Sequence, residues 1–455
     1  MPGLVPKTFA GVELGDRRRT QRLIQSAATI AAHPEKSFTQ IFDWGQLKGF
    51  YRLCDQDSAT VTSLQRPHWD QTRQAMGQHP VVLILHDTTE LDFTDHAALT
   101  DLGPIGDGRG RGFLQHNSLA VVPTPRQVLG LAYQQVERRR EAPERETAAE
   151  RRDRVRESHL WMRGIAAAGR PPAGRRWVDV GDRGADIYEA MVAAVDHGHD
   201  FLFRVAQDRQ IWRDETGATP GKLRAYASSL ASRGEDQVEI PARGGRASRV
   251  ARVQVAASRV WIPAPTGTLR RGEQSVVAAW VVRIWEANPP AGVEALEWIL
   301  VTSVPTETVP QMRERRDWYA CRWMVEVFHD IEKNGCREED RRFETAARMT
   351  ACLAILALVA VRIYQLRTAL DCQPTASASE VASAAEIAVV KKVVKHRGRT
   401  RFTVRDFVRG VASLGGFLGR TGDGEPGVRT LWRGYQRLQD LLLGYQICDE
   451  NVGNR

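Results

Sequence analysis

The sequence predicts an α/β protein in which a strand-rich middle lies between two helical ends. Residues 14–75 place apolar side chains at helical spacing and hold few strand signals. From residue 81 to residue 304, apolar and β-branched runs separated by turn residues are typical of strands. Helical spacing returns at Val309, continues to Leu370 and covers most of residues 380–450. The sequence has no internal repeat, which argues against a solenoid.

The first helix is predicted by its cap and by its apolar stripe. Asp16 is an N-cap residue, and the apolar residues of RLIQSAATIAA follow it at helical spacing. The first turns of this helix bring Arg17, Arg18, Arg19 and Arg22 close together. These arginines form either a solvated helix face or a contact to the DNA backbone.

Two aspartates stand at the ends of predicted strands. Asp87 ends the apolar run VVLILHD at 81–87, which opens a predicted antiparallel meander with strands at 118–124 and 128–136. Asp182 follows a second run, WVDVG. A carboxylate at the end of a buried strand lies at the rim of the sheet, where ligands bind. Aspartate is also a common turn residue, so neither position by itself identifies a site.

A third carboxylate, Glu326, belongs to a patterned helix. In DWYACRWMVEVFHDIEKNG, the residues Arg322, Glu326 and Lys333 lie at offsets of 3, 7 and 14 from Tyr319. At about 100° per residue these four side chains occupy one stripe of a helix, and an apolar face covers the opposite side. The stripe is either an exposed, salt-bridged surface, with Arg322 and Glu326 one turn apart, or a functional one.

The composition narrows the class of protein. With 455 residues the chain has room for about three domains of roughly 150 residues each. A content of 42% hydrophobic and 26% charged residues excludes a disordered or fibrous protein. The net charge of +9 predicts a polyanionic partner. Most of the basic residues are arginine, an excess that also arises from a GC-rich coding sequence, so the charge alone does not identify DNA.

The cysteine pattern and the absence of export signals favour a cytoplasmic, soluble protein. The six cysteines are scattered without a CxxC pair, which predicts neither a disulfide framework nor a zinc site. The N-terminus lacks the apolar core of a signal peptide. The most apolar stretch, 351–361, stops at Arg362; it is too short to span a bilayer and is expected to form a buried helix.

Several motifs together resemble those of one known family. The pattern Y-x2-R-x3-E-x6-K, formed by Tyr319, Arg322, Glu326 and Lys333, is similar to the signature of the insertion-sequence-four family of DDE transposases. HDTTELDF and GDRGADIYEAM resemble the first and second aspartate motifs of that family, in the same order. The likeness extends to ELGDRRRTQRL, KSFTQIFDWGQLKGFYRL, EWILVTSVP and SLGGFLGRTGDGEPGVRTLWRGYQRL.

The resemblance implies a ribonuclease-H-like mixed-sheet catalytic core with a β-strand insertion, flanked by helical N- and C-terminal domains. Asp87, Asp182 and Glu326 are then the catalytic triad and the ligands of two Mg²⁺ ions, with Asp87 as the bridging ligand and Mn²⁺ able to substitute. Magnesium prefers carboxylate oxygens. Two such cations would deprotonate the attacking water or hydroxyl and stabilise the leaving alkoxide.

By the same resemblance, other residues hold DNA. Tyr319, Arg322 and Lys333 match residues that bind phosphates near a DNA hairpin. Trp298 matches a tryptophan that stacks on a flipped base, and Trp323 would lie on the other side of that base; ordinary packing is the alternative for both tryptophans. The remaining candidate DNA contacts are Arg183, Arg204, Arg17, Arg18 and Arg22.

The implied reaction is cut-and-paste transposition by a homodimer on double-stranded DNA. Hydrolysis nicks the transposon end, the released 3′-hydroxyl forms a hairpin, the hairpin is opened, and the 3′-hydroxyl joins target DNA. Residues 1–70 are expected to bind the transposon end, residues 71–370 to form the catalytic domain with its β insertion at about 205–304, and residues 371–455 to pair two subunits. We expect the protein at the bacterial nucleoid.

Two alternatives stay open at this point. One is a catalytically silent DNA-binding inhibitor or domesticated transposase, and the other is a ribonuclease-H-like DNA nuclease. The chain departs from its relatives at Gly184, where some carry an acidic residue, and at Asp330, where one carries a basic residue. Neither departure affects the triad, but either would alter the grip on DNA.

Overall fold

The computed structural model describes residues 8–140, 145, 147, 156–240, 248–265, 276–395 and 401–452. The chain divides into two compact units. The terminal unit comprises Met1–Met76, Thr88–Arg152 and Glu326–Arg455. The central unit comprises Gly77–Asp87 and Asp153–Val325.

Strands and helices occur where the sequence predicts an α/β protein with helical ends, so that fold class is confirmed. The strands are β1 (Val81–Asp92), β2 (Gly103–Ile105), β3 (Gly110–Val122), β4 (Gln127–Glu137), β5 (Arg176–Gly181), β6 (Asp200–Arg204), β7 (Gln210–Trp212), β8 (Pro220–Lys222), β9 (Gly234–Ile240), β10 (Arg249–Pro263), β11 (Val276–Trp285) and β12 (Glu297–Thr302). The helices are α1 (Arg17–Ala32), α2 (Phe38–Ile41), α3 (Trp44–Cys54), α4 (Val61–Met76), α5 (His159–Ala168), α6 (Tyr188–Asp196), α7 (Leu223–Ser229), α8 (Val309–Ala320), α9 (Trp323–Asp330), α10 (Ala346–Cys372), α11 (Ala384–Val393), α12 (Val404–Leu414) and α13 (Val428–Val452).

The central unit is built on a mixed sheet. Its hydrogen-bonded strands follow the order β1-β5-β6-β12-β11-β10-β7-β8, and β9 pairs with β10. β1, β5 and β6 run parallel, whereas the later strands pair antiparallel. Helix α6 makes the crossover from β5 to β6, as a parallel pair requires. Parallel strands are usually buried on both faces, which explains the uninterrupted apolar runs VVLIL and FLF.

The strands predicted between residues 201 and 304 at FLFRVAQ, VEIPA, VARVQVAASRVWI, SVVAAWVVRIWEA and LEWILVTS are confirmed as β6, β9, β10, β11 and β12, whereas the short strands β7 and β8 were not predicted. The longest pairing joins β10 and β11 over ten residue pairs. Helix α7 interrupts these strands and was not predicted. Its fully buried residues are Leu223 and Ala227, one turn apart, and Tyr226 packs half-buried against the same core. So short a pattern does not stand out from the surrounding polar sequence.

Helices dominate the terminal unit, and β2, β3 and β4 pair antiparallel beside them. The predicted cap of α1 is confirmed, because Asp16 Oδ1 accepts a hydrogen bond of 2.8 Å from the Arg18 backbone N–H. Helix α3 begins with a capping box in which Asp43 and Gln46 bond to each other's backbone N–H groups. These caps set where the helices of the N-terminal segment begin.

Helix α10 is longer than the apolar stretch that predicts it. Arg362 does not end the helix, because its guanidinium donates to Thr8 Oγ1 and Gln365 Oε1 inside the terminal unit. The resulting 27-residue helix is long and apolar enough to cross a membrane by length and composition. The expectation that it is too short for a bilayer was therefore wrong. It is nevertheless the predicted buried helix, since 72% of its most apolar window is buried in the protein.

Two glutamates are buried in the core of the terminal unit. Glu332 accepts hydrogen bonds from Asn117 Nδ2 at 2.7 Å and from Gln134 Nε2 at 3.1 Å. Glu338 accepts one from Gln115 Nε2 at 3.3 Å. Burial and the neighbouring Glu338 carboxyl raise the pKa of Glu332 well above its usual value. Burial raises the pKa of Glu338 to about 8, although the Gln115 hydrogen bond opposes the shift.

The raised pKa of Glu338 makes stability depend on pH. Between about pH 4.5 and about pH 8, Glu338 keeps its proton in the folded protein but has lost it in the unfolded protein. The free energy of unfolding therefore falls as pH rises through this window. Glu338→Gln cannot ionise, and its stability relative to the wild type should rise across the window by up to about 1.4 kcal/mol per pH unit. Denaturant unfolding at several pH values measures this difference. Exposed Glu13→Gln is the control, and parallel curves for Glu338→Gln and the wild type would contradict the prediction.

Candidate active site

The register of β1 and β5 relates the positions of Asp87 and Asp182. The prediction that a strand ends at Asp87 was wrong, because β1 continues to Asp92. The strands run parallel in one unbroken register, from Val81 opposite Arg176 to Leu85 opposite Val180. Continued by two residues, this register sets Asp87 opposite Asp182. Neighbouring strands are about 4.8 Å apart, and paired residues of parallel strands point to the same face. We therefore expect the two side chains to leave the same face of the sheet, Asp87 from within β1 and Asp182 from the turn after β5.

The turn after β5 holds Asp182 in place. Asp182 keeps an extended backbone, and its Oδ1 accepts a hydrogen bond of 2.7 Å from the Gly184 N–H. A Cβ atom at Gly184 would lie 3.0 Å both from that oxygen and from the Trp161 ring. At Gly181 a Cβ would collide with Ala185. The glycine found where some relatives carry an acidic residue thus allows Trp161 to cover the turn.

A cation lies beside Asp87. Arg322 Nη1 is 3.7 Å from Asp87 Oδ2, and both side chains are only 17% exposed. The predicted phosphate-binding arginine and the first predicted metal ligand are therefore neighbours. At this separation, in a partly buried setting, the guanidinium and the carboxylate attract each other.

Tyr319 lies next to three other predicted DNA contacts, namely Trp298, Arg204 and Arg322. It is 5% exposed, and the Trp298 ring meets it edge-on with centroids 5.2 Å apart. The Arg204 side chain is hydrogen-bonded to the phenol. Burial raises the pKa of Tyr319, and Arg322 and Arg204 only partly oppose this. The phenol therefore stays protonated and remains a hydrogen-bond donor beside two cations and the Asp182 carboxylate.

The prediction of one helix with a continuous polar stripe was wrong. Helix α8 ends at Ala320 and α9 begins at Trp323. At the junction, backbone bonds span three residues, from Arg322 N to Tyr319 O and from Val325 N to Arg322 O. These tight turns shift the phase of the helix, so the four polar residues do not follow one stripe. Tyr319, in the last turn of α8, is buried. The opposite apolar face is confirmed, with Trp318, Cys321, Met324, Val325, Phe328 and Ile331 buried and Val327 half-buried.

Glu326 and Lys333 follow on the terminal unit. Glu326 lies half-buried in the first turn of α9. Lys333 lies in a π-helical turn, Ile331–Gly335, where its Nζ donates to the Glu90 carbonyl and is 3.5 Å from a Glu339 carboxylate oxygen. Single π turns occur often at functional sites. The turn also adds to the departure from regular helical spacing.

The other predicted DNA contacts differ in exposure. Trp323 is 51% exposed, and Arg183 is exposed beside Asp182. Arg17 and Arg18 point to solvent, whereas Arg22 packs its guanidinium against helix α3. The predicted arginine cluster of α1 is therefore divided between an exposed pair and a packed member.

A groove of about 850 Å³ on the terminal unit contains residues that the sequence reasoning did not single out. Trp44 stands at its edge and is 77% exposed. Lys48 and Arg52 line the groove one and two turns further along α3, with Tyr51 and Phe343 also in the lining. The spacing of four between Trp44, Lys48 and Arg52 is the signal that would have placed them on one helix face.

Among the described residues, no group of three or more His, Cys, Asp or Glu side chains is close enough to hold a metal ion. The register of β1 and β5, continued by two residues beyond Leu85 and Val180, sets Asp87 opposite Asp182, and Arg322 lies next to Asp87. The assignment of Glu326 as a third ligand stays a prediction.

Three family models match the chain, one after another. They are Transposase DNA-binding at residues 3–59, Transposase DDE domain at residues 175–362 and Transposase Tn5 dimerisation domain at residues 355–449. The chain belongs to the Tn5-like DDE transposases. The predicted family, the ribonuclease-H-like fold class and the enzyme class are thereby confirmed. DDE transposases cleave and join DNA strands with the help of divalent metal ions.

The matches also locate the predicted residues within this transposase. The DDE match contains Asp182 and Glu326, whereas Asp87 lies before its first residue. The DNA-binding match contains the arginines of α1 and the Trp44 face of α3. DNA and a second subunit are the partners that the first and last matches indicate. The predicted domain boundaries stay a prediction.

The glycine before Asp182 provides a test of the turn. Gly181→Ala in this transposase places a methyl group against Ala185 and Trp161. It should lower the free energy of unfolding by about 1–3 kcal/mol, as overpacking does elsewhere. Denaturant unfolding measures the change. Gly427→Ala, whose added Cβ meets no atom within 4 Å, is the control. Equal stabilities of the two variants would contradict the account of the turn.

Proposed function

We propose that this transposase moves a DNA segment by a cut-and-paste reaction. It binds terminal inverted repeats, frees the segment through a hairpin intermediate and joins the 3′-hydroxyl ends to target DNA. The observation that carries this proposal is the register of β1 and β5, which sets Asp87 beside Asp182 next to Arg322. Two adjacent carboxylates with a neighbouring phosphate-binding cation suit phosphodiester chemistry.

The residues proposed to hold two divalent cations are Asp87, Asp182 and Glu326. The donor set supports Mg²⁺, with Mn²⁺ as a substitute, because it consists of carboxylate oxygens and the two aspartates share one face of the sheet. When bound, two such cations activate the attacking oxygen and stabilise the leaving one. The Asp182 carboxylate is held ready by its hydrogen bond to Gly184.

Tyr319, Arg322 and Lys333 are proposed to hold DNA phosphates. Arg322 offers a planar fork of donors beside Asp87, which suits a phosphate that reacts there. Burial raises the pKa of Tyr319, so its phenol donates a hydrogen bond to a phosphate oxygen at physiological pH. Lys333 supplies a point charge from the π turn.

Hairpin formation requires a base to leave the DNA stack. We assign Trp298 as the side chain that holds this base, because its ring is half-buried and fixed edge-on against Tyr319. Trp323 is the proposed partner on the other face of the base, and its 51% exposure leaves a surface for stacking. Arg183 and Arg204 are the proposed neighbouring contacts to the DNA backbone.

Residues 1–70 are proposed to bind the transposon end. Arg17, Arg18 and Arg22 supply charge for the DNA backbone, and the groove beside Trp44 adds an exposed aromatic ring with Lys48 and Arg52. Residues 71–370 form the proposed catalytic domain, with its insertion at about 205–304, and residues 371–455 pair two subunits in the synaptic complex. The proposed location is the bacterial cytoplasm, at the nucleoid.

The direct test uses the purified transposase, DNA that carries the element's own terminal repeats, and Mg²⁺ or Mn²⁺. We expect transposon DNA with hairpin ends, free of flanking sequence, on a gel. Glu326→Ala should abolish cleavage while a gel shift with the same DNA persists. Glu189→Ala, at an exposed glutamate of α6, is the control and should cleave normally.

Other products identify other functions. Simple nicks without hairpins would indicate a nuclease, and a gel shift without any cleavage would indicate a silent DNA-binding protein. A Glu326→Ala variant that loses DNA binding as fully as cleavage would contradict its assignment as a metal ligand.

Arg322 is expected to matter most after the first nick, because its proposed task is to hold a phosphate during the hairpin step. Arg322→Ala should slow hairpin formation more than nicking, and Arg322→Lys should fall between, since lysine keeps the charge without the planar fork. Single-turnover gels that resolve both products measure the two rates. Exposed Arg175→Ala is the control. Equal slowing of both steps would indicate a general phosphate clamp instead.

A further inference from the structure

A hydrogen-bonded network of three side chains crosses the parallel part of the central sheet. Asp179 lies in its middle, with Oδ1 2.9 Å from His86 Nε2 and Oδ2 2.9 Å from His199 Nδ1. His199 Nε2 is 2.8 Å from the Gly169 carbonyl oxygen. All three side chains are almost fully buried. This network of side chains takes no part in the proposed reaction.

The hydrogen bonds of this network indicate which of its side chains are charged. A carbonyl oxygen only accepts, so His199 Nε2 carries a proton toward Gly169. Burial opposes ionisation of Asp179, but His199 and the two imidazole hydrogen bonds lower the pKa of the carboxyl to about 2. An ionised Asp179 also accepts from His199 Nδ1, which makes His199 a cation. Burial opposes this charge as well, yet Asp179 raises the pKa of His199 overall.

This network joins the strands that carry the proposed metal ligands. His86 immediately precedes Asp87 in β1, Asp179 lies three residues before Asp182 in β5, and His199 immediately precedes β6. Successive residues of a strand point to opposite faces. A bond that holds His86 to β5 on one face therefore directs Asp87 to the other face, beside Asp182.

The apolar residues of β1 and β5 do not fix the register by themselves. VVLIL is buried on both faces, so a slip of one residue still buries apolar side chains. A buried polar pair has only one satisfied arrangement, since a displaced Asp179 would leave a charge without donors. Trp161 and Trp177 lie against the imidazoles and exclude water, with ring centroids 6.4 Å from His86 and 5.6 Å from His199.

We propose that His86, Asp179 and His199 form a positioning network that fixes Asp87 against Asp182 for divalent-cation binding. A buried ion pair contributes little net stability, because desolvation offsets its attraction. Its effect is to specify one register of the two strands. The proposal rests on the metal ligands named under the proposed function.

The test measures Mn²⁺ binding by electron paramagnetic resonance on the full-length transposase without DNA. His86→Leu removes the donor to Asp179 and should weaken Mn²⁺ binding by about tenfold, the lower end for residues that orient metal ligands. His86→Gln restores a donor close to the position of Nε2 and should recover most of the affinity. His197→Leu is the control, since His197 bonds to the Ala193 carbonyl and not to Asp179.

Asp87→Ala distinguishes a wrong metal site from a wrong positioning network. If it leaves Mn²⁺ binding unchanged, the proposed metal site is wrong. If Asp87→Ala loses Mn²⁺ but His86→Leu binds like the wild type, or if His86→Leu and His86→Gln lose affinity equally, the positioning network is wrong. Should thermal unfolding show that His86→Leu is not folded, Asp179→Asn, which keeps the size and removes the charge, replaces it and must show the same tenfold loss.

Discussion

The parallel pairing of β1 with β5 is the constraint on which the proposed chemistry depends. Neither Asp87 nor Asp182 is a site by itself, and 94 residues of chain separate them. One register, continued by two residues, sets them opposite each other, and Arg322, between α8 and α9, lies 3.7 Å from Asp87. The next strand, β6, adds Arg204, which bonds to Tyr319 beside Trp298. The sheet thus collects residues from four separate motifs.

Burial acts differently on the acids of the two units because their partners differ. Asp179 lies between two imidazoles and stays ionised, with a pKa of about 2. Glu338 has an amide as its main hydrogen-bond donor, and burial raises its pKa to about 8. Tyr319 is buried beside two arginines and keeps its proton. Burial favours the neutral form everywhere, and only a close cation or several donors reverse that preference.

The sequence predicted the features that depend on neighbouring residues. The cap at Asp16, the end of β5 just before Asp182 and the apolar face around Phe328 each follow from a short window of sequence. The break between α8 and α9 was missed because single-turn changes of hydrogen bonding leave the apolar spacing nearly intact. The hydrogen bond between His86 and Asp179 was missed because it depends on the register of β1 and β5. Neither strand's own sequence predicts that register.

The central claim is that Asp87 and Asp182 together hold a divalent cation. The most direct measurement is anomalous diffraction from crystals of the full-length transposase soaked in Mn²⁺. The account predicts an anomalous peak within about 2.2 Å of a carboxylate oxygen of each aspartate. A peak that touches neither aspartate, with none between them at saturating Mn²⁺, would contradict it.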